Sequence, residues 1–418
     1  MTGSSPNRLE SLRRVLGVAM GSNPFQQAKL SPVFPEPEKV ASLEEFVALC
    51  PFTTKDELAR DHLAHPPYGS NLSHPLHCYS RFHQTSGTKG APMAWPDVPE
   101  DWDWMLGNWD QVLEAGGVKP GDRCYFAFSF GPFLGFWTAF EAAAKRGCLC
   151  LPGGGLSSEQ RLRAILDHGV EHLFCTPTYA LRLAEVASEC GMNLGAAAVR
   201  KLILAGEPGG SSSTLRLRLR EAWGGAEPFD HYGMTEVGPV AYETPGGEGG
   251  LRVILDSYLA EVVCPETSEP VTGEEEGELV LTTLGRAGCP LFRYRTGDIV
   301  KSRWGEDDAG QPTLDLLGGI LGRVDDMVVV RGVNLYPASV DAVVCRFDEV
   351  AEYQVTVDET AAMTELKLRA EAPEEVAAAL EKALTETFSL RIPVQAVEPD
   401  SLPRFEMKAR RWERVGEA

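Results

Sequence analysis

Arg123-Cys-Tyr-Phe-Ala-Phe-Ser129 is a mostly apolar run of strand length, and the sequence after it repeats one alternation. Phe133 to Lys145 has helical periodicity and stops at Gly147, and Cys148-Leu-Cys-Leu151 is a second short strand. Ser157 to Gln160 caps a helix running to Asp167. Glu171 to Cys175 then reads as a strand, Tyr179 to Ser188 as a helix, Leu202 to Leu204 as a strand, 214–223 as a helix and Pro228 to His231 as a strand. Strand and helix alternating at this spacing predict an α/β fold with a largely parallel sheet covered by helices, because parallel neighbours need a crossover that a helix supplies.

On either side the pattern changes. Residues 1 to about 75 read as a helical prelude, with capping boxes at Ser42-Leu-Glu-Glu45 and Thr54-Lys-Asp-Glu57. Between about 250 and 316, short strands split by turns (253–255, 259–264, 278–283, 299–302) predict a smaller β subdomain. Beyond Arg323 come a strand at 327–331, a helix starting at Pro337, strands at 352–358 and 364–370 and a helix at 374–388. That tail is long enough to be a separate α+β domain, so the division expected is 1–324 and 325–418.

The chain has 418 residues with 39 basic and 60 acidic side chains, a net charge of −21. A surface that negative repels nucleic acid and anionic membranes, so neither is a default partner, and any phosphate must be held by locally placed amides, cations or a metal. No apolar run reaches membrane-spanning length and the start has no signal core, which predicts a cytoplasmic protein. Ten scattered cysteines without a Cys-x-x-Cys pair read as small buried hydrophobes. His74-Pro-Leu-His77-Cys78, near His62 and His65, reads as a loop, since no metal-ligand spacing on a defined element supports more.

Five short segments carry the chemistry. Gln84-Thr-Ser-Gly-Thr-Lys-Gly-Ala-Pro92 is a glycine- and hydroxyl-rich loop whose amides can wrap a polyphosphate, though a surface turn would look the same. In Asp230-His-Tyr-Gly-Met-Thr-Glu236, Tyr232 could lie on a purine, Thr235 bond a phosphate and Glu236 hold Mg²⁺. Arg293-Tyr-Arg-Thr-Gly-Asp298 places a carboxylate where it could accept from both ribose hydroxyls. Gly322-Arg-Val-Asp-Asp326 stands at the domain junction and Leu402-Pro-Arg-Phe-Glu-Met-Lys-Ala-Arg410 near the C-terminus. Alone, each could equally be a turn or a surface ion-pair site.

In this order and at these separations, the five resemble the adenylate-forming superfamily of acyl-CoA synthetases, adenylation domains and luciferases. Ala127-Phe-Ser-Phe-Gly-Pro-Phe-Leu-Gly135, Cys175-Thr-Pro-Thr-Tyr-Ala-Leu181, Gly206-Glu-Pro208, Pro265-Glu-Thr-Ser-Glu-Pro270 and Arg331-Gly-Val-Asn-Leu-Tyr-Pro337 are similar to the phenylacetate–CoA ligase family in particular. The resemblance, spanning about 45–411, implies a mobile C-terminal domain and a two-step reaction. A carboxylic acid attacks ATP to give acyl-adenylate and pyrophosphate, and the thiol of coenzyme A then displaces AMP. It also implies site roles. Thr85, Ser86, Gly87, Thr88, Lys89 and Gly90 would hold the outer phosphates, Thr235 an α-phosphate oxygen and Glu236 Mg²⁺. Asp298 and Arg323 would fix the ribose, and Glu207, Pro208 and Tyr232 would frame the adenine. Gly206, Asp230, His231 and Gly233 would complete the nucleotide's surroundings. Lys408 would stabilise the adenylation transition state from the small domain, and Asp325 would be the hinge. An aromatic-rich run suggests an aryl-acid pocket with Phe130 and Phe133, walled by Gly206 and His231; about half of its rings would instead be core.

Three departures stand out. Residues 304–313 have no Cys or His where relatives often carry a zinc site, so no structural zinc is expected. Met407 replaces the usual glycine before the late lysine, and Lys89 a common threonine. Besides CoA ligation of an aromatic acid, two readings stay open: transfer to a carrier-protein thiol or an amine, and a silent nucleotide-binding scaffold. A homodimer is possible.

Overall fold

The computed structural model describes residues 6–85, 92–207, 210–244, 250–330, 333–358, 364–405 and 410–415. Leu149–Pro152, Arg123–Phe126, His172–Cys175, Lys201–Leu204 and Glu227–Met234 lie side by side in that order, every pair parallel. Side chains alternate across such strands. Cys124, Phe126, Phe174, Ile203 and Phe229 enter one core with Trp109 and Val112 of helix Pro99–Ala115 and Ala139 and Ala143 of helix Trp137–Arg146. Tyr125, Leu173, Cys175, Leu202 and Leu204 enter a second core on the other face, with helices Ser158–Asp167, Pro177–Glu189 and Ser213–Ala222. The helix-covered parallel sheet expected from the alternation is present.

Beyond Glu227–Met234 the same hydrogen-bonded path turns antiparallel through Gly238–Glu243, Leu251–Val253, Pro312–Leu316, Tyr294–Glu306, Glu276–Thr283 and Tyr258–Val263. The strands of 250–316 therefore continue the central sheet, and Ala260, Leu281, Val300 and Leu314 share the core that holds Phe126. The prelude helices Pro6–Ser22, Pro24–Leu30 and Leu43–Leu49 pack with Leu259, Leu284 and Phe292. Among the described residues no helix is long and apolar enough to cross a membrane.

Several local expectations shift. The strand starting at Arg123 ends at Phe126, and the helix expected from Phe133 begins at Trp137. Phe130 at φ 51 and Gly135 at φ 41 hold the chain between them out of helical geometry. Thr54 and Glu57 make the full reciprocal capping box, whereas the Glu45 carboxylate accepts from the Ala41 amide instead of closing on Ser42. The hairpin of Arg81–Gln84 and Ala94–Asp97 and the helix Pro99–Ala115 carry no motif and were not foreseen.

The C-terminal unit has its own core of Val340, Val343, Val355, Leu368, Leu380 and Leu384. Its sheet runs Val394–Val397, Glu365–Glu371, Tyr353–Asp358, Trp412–Val415, antiparallel in the middle and parallel at both edges. Helices Pro337–Val344 and Glu374–Phe388 cover it.

Between the antiparallel strands, Gly285 lies beneath the Trp104 indole, where a Cβ would sit 2.1 Å from the ring. Gly285→Ala is expected to lower stability by about 1–3 kcal/mol, read as a lower urea midpoint at unchanged slope. A midpoint equal to that of the parent chain would contradict this packing.

Candidate active site

Tyr232, Asp298 and Arg323 meet at one carboxylate. Asp298 lies inside the strand Tyr294–Glu306, opposite Arg323 in register, and is 3% exposed. The Tyr232 phenol donates to Oδ2 at 2.5 Å and Arg323 Nη1 donates to Oδ1 at 2.6 Å. Arg323 Nη2 also reaches the Thr296 carbonyl at 3.2 Å, and the Thr296 hydroxyl accepts from the Asp298 amide. Gly297, at φ 75, is required here, since a Cβ would stand 3.1 Å from the guanidinium. Burial, then the adjacent carboxylate, raises the Tyr232 phenol well above its ordinary range, so it remains a donor. Burial opposes the charge on Arg323, but Asp298 and Tyr232 outweigh it and raise its pKa.

The strand Glu227–Met234 turns into Gly238–Glu243 through residues 235–237, with an irregularity at Tyr232/Gly233. Glu236 is 7% exposed, and its carboxylate meets the Tyr294 hydroxyl. Among the described residues no ion pair reaches that carboxylate. A buried carboxylate with no cation partner among the described residues, next to a partly exposed Thr235, suits Mg²⁺, which takes one or two carboxylates and completes its shell with phosphate and water oxygens. The carbonyls of Thr235 and Glu236 both accept from Arg286, at 2.8 and 2.7 Å.

The hairpin of Arg81–Gln84 and Ala94–Asp97 flanks in sequence the segment 85–90 expected to hold phosphates. Thr85 extends the hairpin: its amide donates to the Met93 carbonyl and its hydroxyl accepts from the Met93 amide, each at 3.0 Å. Ser86, Gly87, Thr88, Lys89, Gly90, Pro208 and Lys408 lie outside the described residues. Asp325 is in the short turn Val324–Asp326 that follows Arg323.

The remaining residues scatter more widely. Gly206 has φ 98, and Glu207 accepts from the Thr178 amide at 2.7 Å at the first turn of helix Pro177–Glu189. Glu207 also feels Asp341 and Arg411 of the C-terminal unit, and Arg218 pairs with Asp348 at 3.6 Å, so the two units meet on this side. Asp230 accepts from Ser211 at 2.6 Å and from the His231 amide at 3.0 Å; burial raises it to about 7. Its carboxylate thus faces the start of helix Ser213–Ala222.

His231 stacks on Trp109 at 4.2 Å, burial lowers it to about 3, and among the described residues neither ring nitrogen has a hydrogen-bond partner. Phe130 packs on Phe128 at 4.0 Å and on Trp137 and Phe140, while Phe133 is half-buried on the same loop. Phe130 and His231 do not touch; they are linked ring by ring through Phe128, Phe136 and Trp109. Trp109, Thr296 and Arg286 were not singled out in the sequence. The spacing of Trp102, Met105, Leu106, Trp109, Val112 and Leu113 after Pro99 was the available signal for the first.

Two families match in tandem: AMP-binding enzyme over residues 85–287 and AMP-binding enzyme C-terminal domain over 332–413. The phenylacetate-coenzyme A ligase of Thermus thermophilus is 32% identical over 368 residues, 87% of this chain and 80% of that protein. The Escherichia coli phenylacetate-coenzyme A ligase is 29% identical over 378 residues, 86% and 83%. A 2-hydroxyisobutyryl-CoA ligase crystallised in the postadenylation state superposes with a TM-score of 0.91 at 28% identity, covering 98% of this chain and 89% of that one. The same protein in the thioesterification state with CoA gives 0.73 at 29% identity, covering 97% and 88%. Since the pair differ in state and not in fold, the two units here are arranged as in the former. The chain belongs to the phenylacetate–CoA ligase family of adenylate-forming enzymes and is an AMP-forming acid–CoA ligase.

Proposed function

We propose that this ligase activates an aromatic acid, aryl or arylacetic, in the cytoplasm. The observation that carries the site reading is the buried Asp298 carboxylate held by Tyr232 and Arg323, with the Thr235–Glu236 turn directly after the strand that bears Tyr232. Free thiols at all ten cysteines agree with a reducing compartment.

In the first step the acid's carboxylate oxygen bonds to the α-phosphorus of ATP, and the bond to the pyrophosphate oxygen breaks. Anion meets anion, so catalysis is largely positioning and charge stabilisation. Asp298 and Arg323 hold the ribose, and Tyr232 with Glu207 and Pro208 flanks the adenine. The 85–90 loop and Thr235 hold phosphate oxygens. Glu236 would hold Mg²⁺, which when bound supplies positive charge to the phosphates. Lys408 brings an ammonium group to the acid and the α-phosphate. In the second step the thiol sulfur of CoA bonds to the acyl carbon, AMP leaves and the thiol proton is released. Asp325 absorbs the backbone change between the two arrangements.

The ring series Phe128, Phe130, Phe136, Trp109 supports an aromatic acyl group, which gains apolar burial and ring contact there. One observation favours a second reading, an oxygen-bearing acid. Among the described residues neither nitrogen of the buried, neutral His231 imidazole is paired, a cost that a hydroxyl or carbonyl on the acid would remove.

Acid-dependent pyrophosphate release, measured with aryl, arylacetic and short hydroxy acids with and without CoA, separates these readings. Aryl acids should turn over with thioester formation; turnover confined to hydroxy acids would favour the second reading. Adenylate without thioester would instead indicate a carrier-protein or amine acceptor. Lys408→Ala should cut adenylation by about 100-fold or more and leave thioester formation from supplied acyl-adenylate nearly intact; equal losses would remove its assigned role. Asp325→Pro should slow only the thioester step, and unchanged overall turnover would dismiss the hinge.

A pH effect follows from His231. Its folded pKa of about 3 lies below the ordinary 6.5, so the unfolded chain binds the extra proton and stability falls as pH drops below 6.5. Between about pH 7 and pH 5 the loss attributable to this group is about 2 kcal/mol. His231→Phe should remove that share from urea midpoints taken at the two pH values; an unaltered slope would contradict it.

A further inference from the structure

We infer that Arg286 is a positioning residue for the adenylation step, setting the Thr235–Glu236 turn against the hairpin that carries the phosphate loop. The inference rests on the roles proposed above for Thr235 and Glu236. Arg286 lies between the strands Glu276–Thr283 and Tyr294–Glu306, and both it and Asp97 are completely buried. Its Nη1 donates to the Thr235 and Glu236 carbonyls at 2.8 and 2.7 Å, and its Nε donates to Asp97 Oδ1 at 2.7 Å. The guanidinium carbon stands 5.3 Å from the Trp95 ring centroid. Trp95 and Asp97 are two residues apart on the strand Ala94–Asp97, hence on one face of the hairpin. A single planar fork therefore spans the two chain segments that must keep a fixed separation around a nucleotide's phosphates.

The segment carrying Arg286 is itself clamped. Asp101 accepts from the Ala287 amide at 2.8 Å and the Gly288 amide at 3.0 Å. A Cβ on Gly288 would lie 2.4 Å from the Asp101 carboxylate, just as one on Gly285 would strike Trp104. Two turn carbonyls can be satisfied by water or a hydroxyl, without desolvating an arginine and an aspartate. What the guanidinium adds is direction: three acceptors are fixed in one plane by a group with no freedom to rotate between them. A shift of about 1 Å in a positioned group can cost about 100-fold in rate, so such a brace belongs to the reaction and not only to the fold.

Arg286→Lys keeps a charge opposite Asp97 but replaces the fork by a point donor. Acid-dependent pyrophosphate release should fall by about 30-fold or more and Mg·ATP affinity, by titration calorimetry, should weaken by about tenfold. Thioester formation from supplied acyl-adenylate should stay within about threefold, with an unchanged circular dichroism spectrum. Wild-type pyrophosphate release and affinity, or equal loss in both half-reactions, would overturn the inference. Should Arg286→Lys not fold, Asp97→Asn carries the test: it loosens only the hairpin, so KM for ATP should rise by about tenfold with kcat within about threefold. An unchanged KM would overturn the inference. Glu236→Gln is the control: if it leaves Mg·ATP binding intact, the site reading fails, whereas its loss beside silent Arg286 and Asp97 variants would fail the inference alone.

Discussion

The Asp298 carboxylate, buried between the Tyr232 phenol and the Arg323 guanidinium, joins three distant parts of the chain. Tyr232 lies near the end of the strand Glu227–Met234, Asp298 in the long antiparallel strand, and Arg323 leads into the turn before the C-terminal unit. A carboxylate left alone at this depth would be strongly destabilising, so the short strand Gly322–Arg323 has to keep its register against Asp298 and Ile299. The point from which the C-terminal unit departs is thereby set. One pairing serves both the framework and the ligand-facing edge of the site.

Charge imposes a second constraint. A chain of net charge −21 offers no general attraction to ATP, to a carboxylic acid or to CoA. Positive character has to be local, and the described cations near the site are already directed: Arg323 to Asp298, Arg286 to Asp97 and the turn carbonyls. Arg293, in the same motif as Asp298, forks onto Glu261 and covers the Phe52 ring at 3.9 Å, so it supports the sheet. Arginines committed in this way preorganise acceptors and turns.

The two units keep separate cores. Described contacts across them include Arg218 with Asp348, Glu207 near Arg411 and the Tyr336 ring against Gly322. The higher structural similarity to a postadenylation state than to a thioesterification state of one related ligase identifies the arrangement seen here.

Much of this was legible in the sequence. Strand-helix alternation from Arg123 to His231 defined the parallel sheet because burial on both faces leaves short, uninterrupted apolar runs, and glycines and capping residues punctuate them. Tyr232, Asp298 and Arg323 were visible because each sits in a short motif whose glycine has a backbone reason, as at Gly297. The helix Pro99–Ala115 was missed, although its apolar spacing is regular, and with it Trp109, the ring that His231 lies on. Arg286 had no local signal at all. Its partners are 189 and about 50 residues away in sequence, and a side chain's role as a brace depends on which distant carbonyls and carboxylate the fold brings within 3 Å. Periodicity and turn chemistry act between neighbours and can be read along the chain. Register, ring-to-ring contact and buried ion pairs act between segments that meet only after folding, so tertiary structure alone decided them.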